Sequence, residues 1–181
     1  IPGEVGGTET YLTEVLRAFA KLEHPHRFTV FTQDDNHDLI RREIPSERFT
    51  FVRLGFSARN RPQRIVREQT ELPMRALIAR TDVLWSPGYT LPLACHCRQV
   101  VTIHDMQYKS FPEDFSKAAF FATNMLVGAA AKRAAKIIAV SEFSRQEILR
   151  HTSAAPANVH VTLEAASPAF RAALASDGRA R

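Results

Sequence analysis

The stretch Gln99-Val-Val-Thr-Ile103, followed at once by His104-Asp105, says most about the fold of this chain. It is a near-continuous apolar run, as expected of a strand covered on both faces. A second such run, Lys136-Ile-Ile-Ala-Val140, lies beyond a long helical stretch. Buried strands separated by helices are typical of parallel sheets with helices on both sides.

Outward from these two runs, helix-like and strand-like segments alternate along the chain. Further strands are predicted at residues 28–31, 49–54, 82–86 and 159–163. Helices are predicted at residues 8–22, 34–42, 62–79, 117–135 and 141–151. Thr8 is the expected N-cap of the first helix, Pro73 is expected to interrupt the third, and Ser141 or Ser144 caps the last. The alternation predicts an α/β protein with a doubly wound, Rossmann-like parallel sheet.

The chain begins inside the glycine-rich segment Gly3-Glu-Val-Gly6-Gly7. In doubly wound folds such a segment follows the central first strand. We therefore expect that strand to be missing here and the chain to be a domain fragment. Residues 1–165 are assigned to one domain, and residues 166–181 to the start of an interdomain linker or to a disordered tail.

Composition excludes several classes of protein. The 181 residues are 45% hydrophobic and 24% charged, which is ordinary globular usage and argues against disorder. Two cysteines cannot build a disulfide scaffold, and no apolar run has the roughly 20 residues of a membrane helix. No signal peptide is recognisable, so a cytoplasmic location is expected.

Positive charge is concentrated between residues 41 and 80. This segment holds ten arginines and four glutamates, a net charge of +6, whereas the whole chain carries +5. The arginines are Arg41, Arg42, Arg48, Arg53, Arg59, Arg61, Arg64, Arg67, Arg75 and Arg80. Such a segment favours anions, among them the headgroups of a membrane, although an ordinary solvated face is the alternative. Nucleic-acid binding has no motif to support it.

The segment around Gly6 and Gly7 is the first candidate site. Glycines let a phosphate approach the backbone, and the N-terminus of the following helix attracts negative charge. The spacing does not match the dinucleotide fingerprint, and the lysine of a P-loop is absent. A simple turn before a helix is the alternative.

Two further candidates follow predicted strands. Ligands of open α/β sheets bind beyond the carboxyl ends of the strands, where His104-Asp105 and Tyr89 are expected. His104 would hydrogen-bond a sugar hydroxyl or a reacting group, and Tyr89 would stack on a sugar or base. The alternatives are a structural histidine bonded to a backbone carbonyl and a tyrosine that only closes a loop.

Cys95-His96-Cys97 gives little support for a metal site. A structural zinc site needs four ligands, and the chain has no second cysteine pair. We therefore assign no metal ligands from the sequence.

Several stretches together resemble the N-terminal Rossmann-like domain of a GT-B glycosyltransferase of the retaining family four. They are Gly6-Gly-Thr-Glu-Thr-Tyr11, Asp82-Val-Leu-Trp-Ser-Pro87, Val101-Thr-Ile-His-Asp105, Phe111-Pro-Glu-Asp-Phe115 and Ala135-Lys-Ile-Ile-Ala-Val-Ser-Glu-Phe-Ser-Arg145. They cover most of residues 5 to 150 in the family's order. The bacterial mannosyl- and rhamnosyl-type members are the most similar.

The resemblance implies roles for individual residues. Gly6 and Gly7, with Thr8 beside them, would bind the diphosphate of the donor. His104 would lie against the transferring sugar as the catalytic residue. Asp105, Tyr89 and Tyr108 would lie near the acceptor.

The resemblance also implies the reaction. A hexosyl group would move from a nucleotide-sugar, held mainly by a second Rossmann domain, to a glycan or lipid-linked acceptor. No cofactor or metal is expected, and the enzyme would be cytoplasmic or peripheral on the inner membrane face. Without the donor domain, this fragment is expected to be inactive. The alternatives are a non-catalytic nucleotide- or anion-binding module and half of a sugar-nucleotide epimerase.

Overall fold

The computed structural model describes residues 7–44, 47–57 and 59–165. Its strands are β1 (Phe28–Gln33), β2 (Phe49–Leu54), β3 (Val83–Ser86), β4 (Arg98–Ile103), β5 (Lys136–Ala139) and β6 (Val159–Val161). Its α-helices are α1 (Gly7–Lys21), α2 (His37–Glu43), α3 (Arg61–Ile78), α4 (Gln107–Ser110), α5 (Lys117–Arg133) and α6 (Glu142–His151). Short 3-10 helices lie at Pro112–Asp114 and Pro156–Asn158. Each predicted strand is present, with its ends displaced by up to two residues.

Every strand pair is parallel, which confirms the predicted fold class. β1 pairs with β2 in a two-stranded sheet, and the other strands form a second sheet in the order β3-β4-β5-β6. No strand within the described residues joins the two sheets. The absence of a central first strand stays a prediction.

Two clusters of buried side chains correspond to the two sheets. The larger is built on β4, β5, α5 and α6, and includes Val101, Ile103, Val127, Ile137 and Ile148, none of which is exposed to solvent. The smaller joins α1 and α2 to the first sheet and includes Leu16, Ile40, Ile44 and Phe49. The apolar runs that predicted buried strands therefore lie in the larger core.

Three local predictions have different outcomes. Ser141 is the N-cap of α6, since its Oγ accepts a hydrogen bond of 3.0 Å from the Ser144 N–H. Thr8 as an N-cap is wrong, because α1 already includes Gly7 and Thr8 lies within the first turn. The interruption at Pro73 is also wrong, because α3 runs continuously through it.

Contacts on both sides of Pro73 account for the continuous helix. Before it, the Gln69 amide accepts from Leu93 N–H at 2.8 Å and donates to the Leu91 carbonyl at 3.0 Å. After it, Ala76 is completely buried. Tertiary contacts therefore hold both halves of the helix in line and outweigh the local cost of proline.

None of the described helices is long and apolar enough to cross a membrane. The assignment of residues 166–181 to a linker or tail lies outside the described residues.

Candidate functional site

The carboxyl ends of three neighbouring strands bring the candidate residues to one edge of the larger sheet. His104 follows β4, the loop beginning at Pro87 follows β3, and Ser141 lies shortly after β5. Since β3, β4 and β5 are parallel neighbours, these segments meet at the same edge.

The His104 imidazole has a partner at each ring nitrogen. Nε2 lies 2.9 Å from the Pro87 carbonyl oxygen, and Nδ1 lies 3.3 Å from Oε1 of Glu164. The side chain is only 13% exposed, whereas that of Glu164 is 49% exposed. A carbonyl oxygen only accepts, so Nε2 carries the proton of that bond. Nδ1 is therefore the nitrogen without a backbone partner, and it faces the half-exposed Glu164.

Aromatic rings and a backbone contact hold this histidine in place. The Tyr11 ring meets the imidazole edge to face, with centroids 5.0 Å apart, and the Tyr89 ring lies 5.8 Å away. The hydroxyl of Ser144 donates to the His104 carbonyl oxygen at 2.6 Å. The ring is thus oriented by four separate segments of the chain.

Tyr89 and Asp105 form a pair beside His104. The phenol donates to Oδ2 of Asp105 at 2.8 Å, while Oδ1 accepts from the Gln107 N–H at 2.9 Å. Burial, followed by the hydrogen bond and charge of Asp105, raises the pKa of the Tyr89 phenol above its ordinary value. Tyr89 also has a φ of 52°, in the left-handed region that non-glycine residues rarely adopt. Both side chains are therefore fixed in position, and the phenol is a neutral donor.

The start of α1 lies next to this pair. The backbone of Gly88 lies close to Thr8. A Cβ atom added at Gly88 would lie 3.6 Å from the methyl group of Thr8. A Cβ at Gly7 would meet no atom of the described residues within 4 Å. Gly6 lies outside the described residues. Thr8, Tyr89, His104 and Asp105 are therefore neighbours, with Gly7 at the same helix start.

Tyr108 lies apart from the other candidates. It is 5% exposed and belongs to the larger core, where its ring lies 5.8 Å from that of Phe120. Burial raises the pKa of its phenol. These are the contacts of a core residue, and its contact with the acceptor stays a prediction.

Four of the ten arginines in the arginine-rich segment are in ion pairs among the described residues. Arg53 lies 3.3 Å from Asp34, and Arg64 lies 3.6 Å from Glu68. Glu71 is buried between Arg67 and Arg75 at 3.1 and 3.4 Å. Within the described part of the chain, exposed arginines without an ion-pair partner remain: Arg41, Arg42, Arg59 and Arg80.

Cys95-His96-Cys97 lies at the opposite edge of the sheet, directly before β4. The two sulfurs are 3.3 Å apart. Burial, with the hydrogen bond and charge of Cys95 as lesser causes, raises the pKa of the Cys97 thiol to about 11. A thiol with so high a pKa is a poor nucleophile at neutral pH.

Two contributors to the site escaped the sequence analysis. Glu164 directly follows the last predicted strand, at residues 159–163, and Tyr11 lies within the predicted helix at residues 8–22. Glu164 follows the carboxyl end of β6 by three residues, so the rule that located His104 also points to it. Tyr11 offered no comparable signal, because helical periodicity does not distinguish a core ring from a site ring.

The chain matches a known family over most of its length. The model of glycosyltransferase family 4 covers residues 5–163, from the glycine segment to beyond β6. No curated protein and no solved structure matches the chain significantly. The family match agrees with the parallel α/β architecture. The chain therefore belongs to glycosyltransferase family 4 and is a GT-B glycosyltransferase domain.

Proposed function

We propose that this domain is the N-terminal, acceptor-side half of a retaining hexosyltransferase. It acts on a nucleotide-sugar donor and a glycan or lipid-linked acceptor, with the donor held mainly by a second Rossmann-like domain. The observation that carries the proposal is the oriented His104 at the carboxyl edge of the sheet. No cofactor is needed, since the donor supplies an activated leaving group.

His104 is the residue that acts on the transferring sugar. Because Nε2 is bonded to the Pro87 carbonyl, Nδ1 is the nitrogen offered to a sugar hydroxyl. In the neutral ring Nδ1 accepts from that hydroxyl, and Glu164 lies on the same side of the ring. A bond of this kind accelerates transfer only if it strengthens as positive charge develops on the sugar ring.

The donor diphosphate binds at the start of α1. The first N–H groups of this 15-residue helix have no partner within the helix, and Gly7 leaves the approach open. With Gly6 and Thr8 they stabilise the leaving diphosphate through backbone donors rather than a metal ion.

Tyr89 and Asp105 shape the acceptor side. The phenol is held by Asp105 next to the imidazole, so its ring presents a fixed face to an acceptor sugar. Tyr108 contributes by supporting this region from the core.

The exposed arginines favour contact with an anionic membrane surface, as suits an enzyme with a lipid-linked acceptor. Arg41 and Arg42 lie together in the last turn of α2, and both are exposed. We propose that the enzyme is cytoplasmic and peripheral on the inner membrane face, and these arginines support that proposal.

A donor panel assayed with the complete protein tests the proposal, with His104→Ala as the decisive variant. We expect turnover to fall about 10- to 100-fold, corresponding to about 1.5–3 kcal/mol, with a smaller change in donor affinity. His160→Ala, at an exposed position of β6, is the matched control and should leave both unchanged. A lowered melting temperature with unchanged kcat would show that His104 is only structural.

The same assay separates the alternatives. Binding of nucleotide-sugars without turnover by the complete protein would identify a non-catalytic module. Conversion of the donor into another sugar-nucleotide without any acceptor would identify an epimerase. Residues 1–181 alone should bind donors weakly and transfer none, and measurable transfer by them would contradict the two-domain proposal.

A further inference from the structure

The amino-terminal edge of the larger sheet carries a group of metal-binding side chains far from His104. Cys95, His96 and Cys97 offer ligand atoms that all lie within 4.8 Å of one another. The two sulfurs are 3.3 Å apart, because the chain bends between the cysteines. Residues two apart in an extended strand would hold their side chains farther apart than this.

A carboxylate from another segment lines the same cleft. Val83 of β3 pairs with Arg98 of β4, and Asp82 and Cys97 are the residues directly before these two strands. Asp82, His96 and Cys97 line one surface cleft of about 500 Å³. The sheet register therefore supplies a fourth side chain, one that spacing within the sequence does not reveal.

We propose that Cys95, His96, Cys97 and Asp82 bind a thiophilic divalent cation, with zinc as the ion that fits the set. Two sulfurs, one imidazole nitrogen and one carboxylate oxygen are the ligands that zinc takes in tetrahedral sites. With Zn–S bonds of about 2.3 Å the sulfurs of such a site lie about 3.8 Å apart, close to their separation here. A disulfide would need the sulfurs to approach to about 2.0 Å.

The charges at the cleft balance when the ion is bound. Two thiolates and the Asp82 carboxylate carry three negative charges. The dication neutralises two of them, which leaves a net charge of −1. Arg98 lines the same cleft and carries the compensating positive charge. Asp82 and Arg98 have no ion pair within the described residues that would compete with this arrangement.

The position of the site indicates a structural ion. The six residues of β4 lie between Cys97 and His104, which are therefore about 23 Å apart at the usual rise per residue. The ion therefore takes no part in sugar transfer. It joins the start of β3 to the start of β4 and anchors one end of the loop that carries Tyr89 at its other end.

Cobalt titration of the reduced 181-residue chain tests the proposal, since Co²⁺ reports thiolate ligands by charge-transfer absorption. We expect one Co²⁺ per chain, displaced by Zn²⁺, and a higher melting temperature with Zn²⁺. Loss of a residue that hydrogen-bonds to a metal ligand typically weakens metal binding about 10- to 100-fold. Cys95→Ser and Cys97→Ser remove a ligand itself, so each should weaken Co²⁺ binding by more than that. Asp82→Asn should weaken it measurably, while the matched control Asp114→Asn should not.

Two results would overturn the proposal. One is equal Co²⁺ uptake by the native chain and by the folded Cys95→Ser/Cys97→Ser double variant, which would place the ion elsewhere, for example at His24 and His26. The other is no uptake by the reduced native chain with Co²⁺ in excess. Circular dichroism of the double variant confirms that it is folded.

Discussion

At the scale of single residues, the contact between His104 and Glu164 determines what faces the second ring nitrogen of the histidine. The two are 60 positions apart and meet through one 3.3 Å contact. Pro87 fixes one ring nitrogen, and Glu164 faces the other. We therefore expect Glu164 to be a positioning residue for His104, with an effect on transfer that runs through that ring.

Glu164→Gln should lower kcat about fivefold, because it replaces the charged carboxylate that faces Nδ1 with a neutral amide, at a cost of about 1 kcal/mol. In the background of His104→Ala, Glu164→Gln should leave kcat almost unchanged, because the imidazole ring that Glu164 faces is absent. Steady-state kinetics on the four proteins of this cycle measure the coupling. Additive losses would show that Glu164 acts independently of His104, and Glu113→Gln is the exposed control.

Glu68 gives a prediction about pH. Burial raises the pKa of its carboxyl above the ordinary 4.5, and the charge of Arg64 only partly offsets this. The folded state thus keeps the proton to higher pH than the unfolded state. The contribution of Glu68 to the free energy of unfolding is therefore greatest below about pH 4.5 and is lost as pH rises through the folded pKa.

Glu68→Gln removes that dependence. The melting temperature of the variant, relative to the native chain, should rise between pH 4.5 and pH 7. Thermal unfolding at several pH values measures the difference. A difference that falls toward pH 7 would contradict the raised pKa, and Glu113→Gln should show no trend.

At the scale of secondary-structure elements, α3 shows how tertiary contacts override a local signal. Pro73 removes one backbone hydrogen bond to the carbonyl of Gln69 and crowds that group. The helix nonetheless continues, because Gln69, Glu71 and Ala76 are fixed by their surroundings. Pro73 therefore lowers the free energy of unfolding, and replacing it with a good helix former should raise it.

Pro73→Ala should raise the free energy of unfolding by roughly 2 kcal/mol. That is the cost of an interior proline less its entropic benefit in the unfolded chain. For a chain of this size it corresponds to about 4–8 °C in Tm. Pro62→Ala is the matched control and should not stabilise, because Pro62 lies in the first turn of α3, where proline fits. An unchanged or lowered Tm for Pro73→Ala would show that the helix has already adapted to the proline.

At the scale of the whole molecule, ion pairs neutralise part of the positive charge that the sequence concentrates between residues 41 and 80. The net charge of +6 between residues 41 and 80 remains, but four of its arginines are in ion pairs. Exposed pairs of this kind contribute little to stability, yet they reduce the positive potential offered to a membrane. Arg41 and Arg42 are then the strongest candidates for an anionic surface.

Weak, salt-sensitive binding to anionic vesicles is the expected outcome. Screening over a Debye length of about 8 Å at physiological salt should reduce it markedly. Arg41→Gln/Arg42→Gln should lower cosedimentation at low salt, whereas Lys132→Gln/Arg133→Gln on α5 should not. Binding that resists salt, or no binding at low salt, would leave the arginines as an ordinary solvated face.

The sequence by itself determined the α/β class, the parallel strands, the place of each strand within about two residues, and the position of His104 at the end of β4. These follow from periodicity and composition over a few neighbouring residues, which report directly on local backbone structure and burial. Only the tertiary structure decided that Glu164 faces His104, that Tyr108 lies in the core, that α3 continues through Pro73, and that Asp82 lines the same cleft as Cys97. Each of these depends on contacts between segments distant in the chain, and such contacts leave no periodic signal in the residues that make them.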